Sequence, residues 1–538
     1  MADLLNIGLS GLNAAKTKLT VTGHNISNVN TPGYSRQDTV QQTRTPQFSG
    51  VGYIGSGTSL VDIRRSYSEF LTTQLRSSTA LNADVKSYKS QIDQLDSLLA
   101  GTTTGITPSL KSFFSAMQTA AEDPANIPAT QLVLAEAEGL TRRFNTIYEN
   151  IGSQNEFINK QMVSVTEQVN RLAKTVAELN QAVAAAGSSG HPPNDLLDAR
   201  DEAVRQLSSF IGVTVVPQDN NTLNLFIGSG QPLVVGNNAN AIEAVQGNAD
   251  PGRFDINFIS SGSRQNISTM ITGGEMGGLL RYRNEVLDPT LNAVGRLALS
   301  ISDEVNRQLG QGLDLKGNVG AALFKDINDP MASGLRVLSL GSNTSNVVGS
   351  MTITNTQLLT TSDYRLEFDG TNYQAYRVSD GAVMSVTNNG GVLSFADLPS
   401  PGRDQGFTVQ LTGTPNAGDQ FLLQPTRRGA TDVASILDQA DQLAFAAPLR
   451  SEAGLQNGGT GVIGQPSVEM VLNPANLPQN NFVTDALSKS HIDAVGSIEL
   501  KYNEASGALV FTTPLPAGVR ITAAPQEGMA APSDITQL

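Results

Sequence analysis

Between Ile147 and Val183 the apolar residues Ile147, Ile151, Ile158, Met162, Val165, Val169, Leu172, Val176, Leu179 and Val183 recur in steps of four and three, with one step of seven. That spacing holds a single apolar seam on one side of a helix, so it predicts a long helix with coiled-coil-like packing. The seam stops at Gly187-Ser188-Ser189-Gly190-His191-Pro192-Pro193, a loop by composition. Another helix is expected beyond it, with Asn194 or Asp195 as cap and Leu196, Leu197, Val204, Leu207 and Phe210 along it. An apolar seam needs a cover. Because other stretches of the chain share its spacing, an intrachain bundle is favoured over a dimerising coil.

The same periodicity predicts a helix over residues 1 to about 30. Leu5, Leu9, Leu12 and Leu19 form its apolar stripe, and Asn6, Ser10, Asn13 and Thr17 form a polar, hardly charged face. It should end before the turn signal Thr31-Pro32-Gly33. Residues 36 to 65 read as extended or irregular. A second helix is expected from Ser66 to about Leu99, with Phe70, Leu75, Leu81, Val85, Tyr88, Ile92, Leu95 and Leu99 on its buried side. Leu279, Leu280, Leu287, Leu291, Val294, Leu297, Ile301, Val305 and Leu309 mark one more helix, ended by Gly310 and Gly312.

Between these helices the pattern changes to alternation at Val213, Val215, Leu223, Leu225, Ile227, Phe254, Ile256 and Phe258, as in half-buried strands. After about residue 345 the chain reads mostly as β. Tyr364, Leu366 and Phe368 lead into the hairpin signal Asp369-Gly370, and Phe407, Val409 and Leu411 alternate as well. A short helix is expected over Thr431–Ala446. Beyond it lie strands around Val468, Met470 and Leu472, and around Ile498, Leu500 and Tyr502, with Leu509 and Phe511 across a turn. The expected class is α+β and multidomain: a long-helix bundle stem with inserted or following antiparallel β domains. Residues 1–65 would form an N-terminal helix and extended segment. Residues 66–345 would form the helical bundle, with a small β subdomain near 211–268. Residues 346–450 would make a β domain with a short helix, and 451–538 a second, variable β domain. The 538 residues leave room for that many units at about 150 residues each.

Composition narrows the function classes. The net charge is -14, spread along the chain, and no basic cluster offers a nucleic-acid footprint. With no cysteine there is no disulfide, thiolate metal site or cysteine nucleophile. No segment is apolar enough to span a bilayer, and Met1-Ala2-Asp3 does not open a cleavable signal peptide. The histidines His24, His191 and His491 lie far apart in sequence, and no nucleophile elbow, zincin or P-loop motif accompanies them. Neither a catalytic site nor a cofactor is expected. Asp195, Asp198 and Asp201 fall on or near one helical face. As carboxylates at a helix start, next to Arg200, they read better as capping and dipole partners than as a metal site. Asp314–Asn318 lacks the spacing and closing glutamate of a calcium loop.

Asn25-Ile26-Ser27-Asn28-Val29-Asn30-Thr31-Pro32-Gly33-Tyr34-Ser35-Arg36-Gln37 resembles the N-terminal signature of flagellar axial proteins. Its continuation from Pro32 to Gln37 is similar to the hook-associated protein 1 family of hook–filament junction proteins. Three further blocks resemble that family: Asn194–Asp201, the run from Gly274–Leu280 through Leu287-Asp288-Pro289 to Gly312–Leu315, and, less specifically, Gly418–Pro425. The resemblance covers residues 1–345 well and 346–430 loosely. It implies a secreted structural subunit whose terminal helices line an axial tube. Leu5, Leu9, Leu12 and Leu19 would then form an assembly interface, with Tyr34 and Arg36 as further contact candidates. Asn28, Pro32 and Gly33 are read as a structural turn.

The implied partners are the hook protein, the second hook–filament junction protein, an export chaperone and copies of the chain itself in a ring. Export would use the flagellar type III route to an extracellular location, without a cleaved signal peptide. The resemblance also implies a C-terminal helix beside the N-terminal one. It is expected to be absent here, because Ile535–Leu538 end a turn-rich stretch, and the chaperone contact would go with it. Three other readings stand beside this one: a hook or distal-rod subunit of the same group, a surface binding protein acting through its β domains, and an enzyme carried in the β region.

Overall fold

The computed structural model describes residues 4–48, 50–99, 105–187, 192–447, 451–454, 458, 499–503 and 508–512. Helix α1 (Leu4–Ser27) leads into two nested antiparallel hairpins, β1 (Gln37–Thr43) with β4 (Thr58–Arg65) and, at the tip, β2 (Gln47–Phe48) with β3 (Tyr53–Ile54). Helices α2 (Glu69–Leu99), α3 (Ile106–Glu122), α4 (Ile127–Gly187) and α5 (Asn194–Phe210) follow.

The heptad seam lies in α4, whose 61 residues make a rod about 90 Å long. Eight of the ten seam residues are buried, and Leu172 and Leu179 are half-buried. The helix begins twenty residues before the seam's first isoleucine, because Ala129, Val133, Ala137, Leu140 and Phe144 continue the buried stripe. This one rod serves two cores. Its first third packs with α3 and with Phe324, Ala430 and Val433. The remainder packs with α5 and with the two small sheets that follow it.

Those sheets are β5 (Val213–Pro217), β6 (Leu223–Ile227), β7 (Gln231–Val235) and β8 (Asn238–Ala239), then β9 (Ala241–Gln246), β10 (Phe254–Ser260) and β11 (Ser263–Asn266). Asn180 and Asn170 reach out of α4 to hold them. Each side chain donates to the carbonyl and accepts from the N–H of one strand residue, Leu223 and Ile242 respectively, and Asn180 donates to the Gly236 carbonyl as well.

The expected helix over Leu279–Leu309 is in fact two helices, α6 (Gly274–Tyr282) and α7 (Asp288–Leu309), joined by a π-helical turn at Arg283–Leu287. Pro289 has no N–H to give the regular ladder, and the wider turn ahead of it accommodates that loss. The buried side of α2 follows expectation only in its second half, where Tyr88, Ile92, Leu95 and Leu99 pack on the core. Phe70, Leu75, Leu81 and Val85 are exposed, whereas Arg76, Ala80, Gln91 and Leu95 are buried. α2 meets α6 through small residues: a Cβ at Gly278 would stand 2.4 Å from the Asp84 carbonyl oxygen, so only glycine permits the approach. Arg281 pairs with Asp84 and stacks over Tyr88 along the same contact.

After α8 (Pro330–Leu335) comes an eight-stranded antiparallel sheet in the order β12-β19-β14-β15-β16-β17-β18-β13. Its strands are β12 (Val337–Ser339), β13 (Val348–Ile353), β14 (Tyr364–Phe368), β15 (Tyr373–Arg377), β16 (Val383–Asn389), β17 (Val392–Ala396), β18 (Asp404–Thr412) and β19 (Gln420–Leu423). The sheet curls until its edge strands β12 and β13 lie side by side, around Met351, Leu366, Phe395, Phe407 and Phe421. The Asp369-Gly370 signal is the β14–β15 turn.

The expected helix over Thr431–Ala446 is largely absent. Helix α9 spans only Gly429–Asp432, and a single 3₁₀ turn spans Ala440–Gln442. The segment is extended instead and bonds to residues 313–325: Ile436 N–H to Leu323, Lys325 N–H to Ala434, and Leu313 with Ala446 in both directions. Strands β20 (Leu500–Asn503) and β21 (Ala508–Phe511) pair as read from the sequence, whereas the strand expected at Val468–Leu472 lies outside the described residues.

The β domain is locked to the stem by one buried charge network. Arg427 donates to Asp288 Oδ1 at 2.9 Å, to Asn292 Oδ1 at 2.9 Å and to Asp363. Asp363 also accepts from Asn292, and Asp288 also pairs with Arg253 at 2.8 Å. Burial alone would lower the Arg427 pKa. Asp363 and Asp288 outweigh it and hold the guanidinium above its ordinary range, so it stays charged.

Candidate assembly site: the N-terminal arm and its clamp

Helix α1 buries only Ser10, Ala14 and Val21, and this small-residue face rests on the β1–β4 hairpin. The Thr58 N–H donates to Ser10 Oγ at 3.1 Å, fixing the middle of the helix to the hairpin. The leucine stripe points elsewhere: Leu5, Leu9, Leu12 and Leu19 are 69%, 46%, 66% and 73% exposed. Ile26 and Val29 continue it at the C-terminal end, both exposed.

The end of α1 is held by side chains. Asn25 Oδ1 accepts from the Tyr34 hydroxyl at 2.7 Å and from the Gln37 N–H at 2.9 Å, while Asn25 Nδ2 donates to the Gln37 carbonyl at 2.9 Å. One asparagine thereby pairs with a whole backbone residue at the start of β1 and supplies groups left over by both elements. Tyr34 is half-buried, with its ring edge-on to His24 and its hydroxyl 3.1 Å from His24 Nδ1. Burial, reinforced by Asp195 and Asp198, pushes its pKa up, so the hydroxyl remains a donor. Asn28 closes the turn by donating to the His24 carbonyl and accepting from Thr31. Arg36 is exposed and lines, with Lys18, Val21 and Ile26, a groove of about 650 Å³ between α1 and β1.

The arm is clamped to the stem by α5. Asp198 accepts from the Ser35 N–H at 2.8 Å and from Arg65 at 3.0 Å; Asp201 takes the same Arg65 nitrogen at 2.8 Å, and Asp195 accepts from Gln37 at 2.7 Å. Asn194, expected as a cap, is instead the first residue of α5 and donates to the Ile63 carbonyl, while Pro193 stands at the cap position. Gly33 lies flat on α5, where a Cβ would come 2.6 Å from Glu202 Cβ, and its φ of +79° is a glycine conformation. The three aspartates at steps of three, expected as capping and dipole partners at the helix start, bond the arm instead. Their face was legible, but their partners were not, because Ser35, Gln37 and Arg65 lie more than a hundred residues away. Asn25 carried no sequence signal beyond its place in the asparagine-rich turn.

Asp198→Ala removes an acceptor shared by a backbone N–H and an almost buried Arg65. A loss of about 1–3 kcal/mol from arm docking is expected. Limited proteolysis checks it: cleavage within residues 28–66 should accelerate while the stem stays resistant, and an unchanged pattern would deny the clamp.

Among the described residues no three or more metal-binding side chains converge. Asp314 accepts from the Lys316 and Asn318 N–H groups, which makes its loop a self-satisfied turn. No helix among the described residues is long and apolar enough to cross a membrane.

Residues 92–324 match the family model of the flagellar hook-associated protein FlgK helical domain, 338–425 that of the flagellar hook-associated protein 1 D2-like domain, and 5–34 that of the flagella basal body rod protein. The flagellar hook-associated protein 1 of Salmonella typhimurium (strain LT2) is 32% identical over 467 residues, which is 85% of this chain and 81% of that protein. The protein of the same name in Escherichia coli (strain K12) is 30% identical over 83% of this chain and 80% of its own length. The solved flagellar hook junction protein FlgK from Burkholderia pseudomallei superposes with a TM-score of 0.66 at 29% identity, covering 81% of this chain and 74% of that one. These matches place the chain among the flagellar rod and hook-associated proteins. Within that class, the chain belongs to the flagellar hook-associated protein 1 family.

Proposed function

We propose that this chain is the structural subunit joining the flagellar hook to the filament, and that it acts by packing rather than by chemistry. The observation that carries the proposal is α1: a helix held at a fixed angle by its polar groups while its leucines face outward. Such a stripe needs a cover, and in a tube that cover comes from repeated heterologous contacts around and along the axis. Residues 1–65 are then the axial part, 66–345 the stem and 346–450 the outward part; most of 451–538 lies outside the described residues. Leu5, Leu9, Leu12 and Leu19 would face neighbouring helices, with Arg36 at the rim of the same surface and Tyr34 shaping it from within.

The partners in this reading are the hook protein below, the second junction protein above, further copies of the chain in a ring, and an export chaperone before assembly. The location is the extracellular flagellum, reached without a cleaved signal peptide. Electron microscopy of cells lacking the gene tests the reading. Hooks without filaments, with flagellin released into the medium, are the expected result. Missing hooks would assign the chain to the hook or rod instead, and intact filaments would overturn a junction role.

A further inference from the structure

Where the stem meets the β domain, a narrow cavity of about 10 Å³ lies between Ser302 of α7, Ile327, Arg336 ahead of β12, and Asp432 at the end of α9. Three of its polar side chains are incompletely satisfied. Arg336 is 1% exposed and donates from Nη2 to the Ile327 carbonyl at 2.6 Å, but its Nε and Nη1 have no protein partner. Ser302, 2% exposed, has an unpartnered hydroxyl. Asp432 uses Oδ1 to accept from Arg428 at 2.8 Å, while its buried Oδ2 accepts from nothing. Each group left this way is destabilising, most of all when it is charged.

We infer that this cavity is the binding site of a single ordered water molecule bridging Arg336, Asp432 and Ser302. Size sets the first limit, since one water needs about 10–15 Å³ of such space and a second would not fit. Chemistry sets the second. The ligand must accept from a guanidinium and donate to a carboxylate, which water does and neither a simple cation nor a simple anion does. A cation would meet Arg336 and an anion would meet Asp432. Burial draws the Arg336 pKa down to about 10, with Asp432 and Asp326 acting against it, so the group is charged at neutral pH and needs the bridge. The water fastens three segments that are distant in sequence, α7, the entry to β12 and the α9 turn. It thereby gives the joint a wet ion pair beside the dry one around Arg427.

A crystal structure of the full chain at a resolution that shows solvent tests the inference. One solvent peak is expected within hydrogen-bond distance of Arg336 Nε or Nη1, Asp432 Oδ2 and Ser302 Oγ. An empty cavity, or Arg336 in direct contact with Asp432 Oδ2, overturns it. In Ser302→Val the added methyl groups occupy the space, and oxygen-17 relaxation dispersion should register the loss of one long-resident water; an unchanged count overturns the site. Should that variant fail to fold, Ser302→Ala serves. Its peak is expected to remain on Arg336 and Asp432, and disappearance of the peak there would overturn the bridge.

Discussion

A chain carrying Leu9→Asp and Leu12→Asp is expected to fold as the parent does and to be missing from the flagellum. Both leucines are largely exposed on α1, at 46% and 66%, so aspartates there remain in water and the isolated subunit loses little beyond about 0.5 kcal/mol of helix propensity per site. In an assembly that covers the stripe the cost is of another order. Each substitution forfeits about 1.5–3 kcal/mol of leucine burial and places a carboxylate in an apolar contact without a partner. Because one copy meets several neighbours in a tube, the penalties recur at every contact. The measurement is complementation of a deletion strain, scored as filaments per cell, together with thermal melting of the purified variant. Asn13→Asp, a carboxylate on the polar face of the same helix, is the control and should assemble. Filaments at the parent level from the double variant would show that the stripe is not an interface.

Arg427→Met should produce the largest loss of stability. The substitution leaves Asp363, 5% exposed at its side chain, without its cationic partner, while Asp288, 13% exposed, keeps only Arg253. Breaking a buried pair in this way costs about 3–5 kcal/mol. Asn292 and Gln424 still donate to Asp363, which keeps the expectation within that range. The effect should be local to the joint. Hydrogen exchange in β14 and β19 should quicken strongly, whereas the α4 core around Val169 and Val176 should keep its protection. Replacing Asp363 by leucine in the same chain should recover part of the loss, because an apolar pair avoids the desolvation that an unpaired charge suffers. A loss below about 1 kcal/mol for Arg427→Met would show that packing alone holds the β domain in place.

The sequence disclosed most where the physics was local. The α4 seam, the alternation in β14 and β18 and the Asp369-Gly370 turn were all legible, because each depends on periodicity or on one backbone conformation. It disclosed less where small residues do the packing. Of the face expected on α2, Tyr88, Ile92, Leu95 and Leu99 do pack on the core, but Phe70, Leu75, Leu81 and Val85 lie outside, where Ala80 and the glycines of α6 make the contact. Residues 431–446 have helix-compatible spacing, but tertiary bonding to residues 313–325 draws them straight. In the arm, the exposed stripe could be named but its orientation could not. That orientation depends on Asn25 and on the α5 aspartates, polar residues whose partners only the fold brings near.

The clamp also has a meaning in time. Ser35 and Arg65 are made long before Asp198 and Asp201, and the aspartates are held in place only once α5 has docked on α2 and α4. The first segment of the chain to be made therefore receives its direction from one made much later. In the proposed assembly, a copy whose stem is incomplete would present α1 without the aspartates that orient the arm. Readiness to join neighbours would thereby follow completion of the stem.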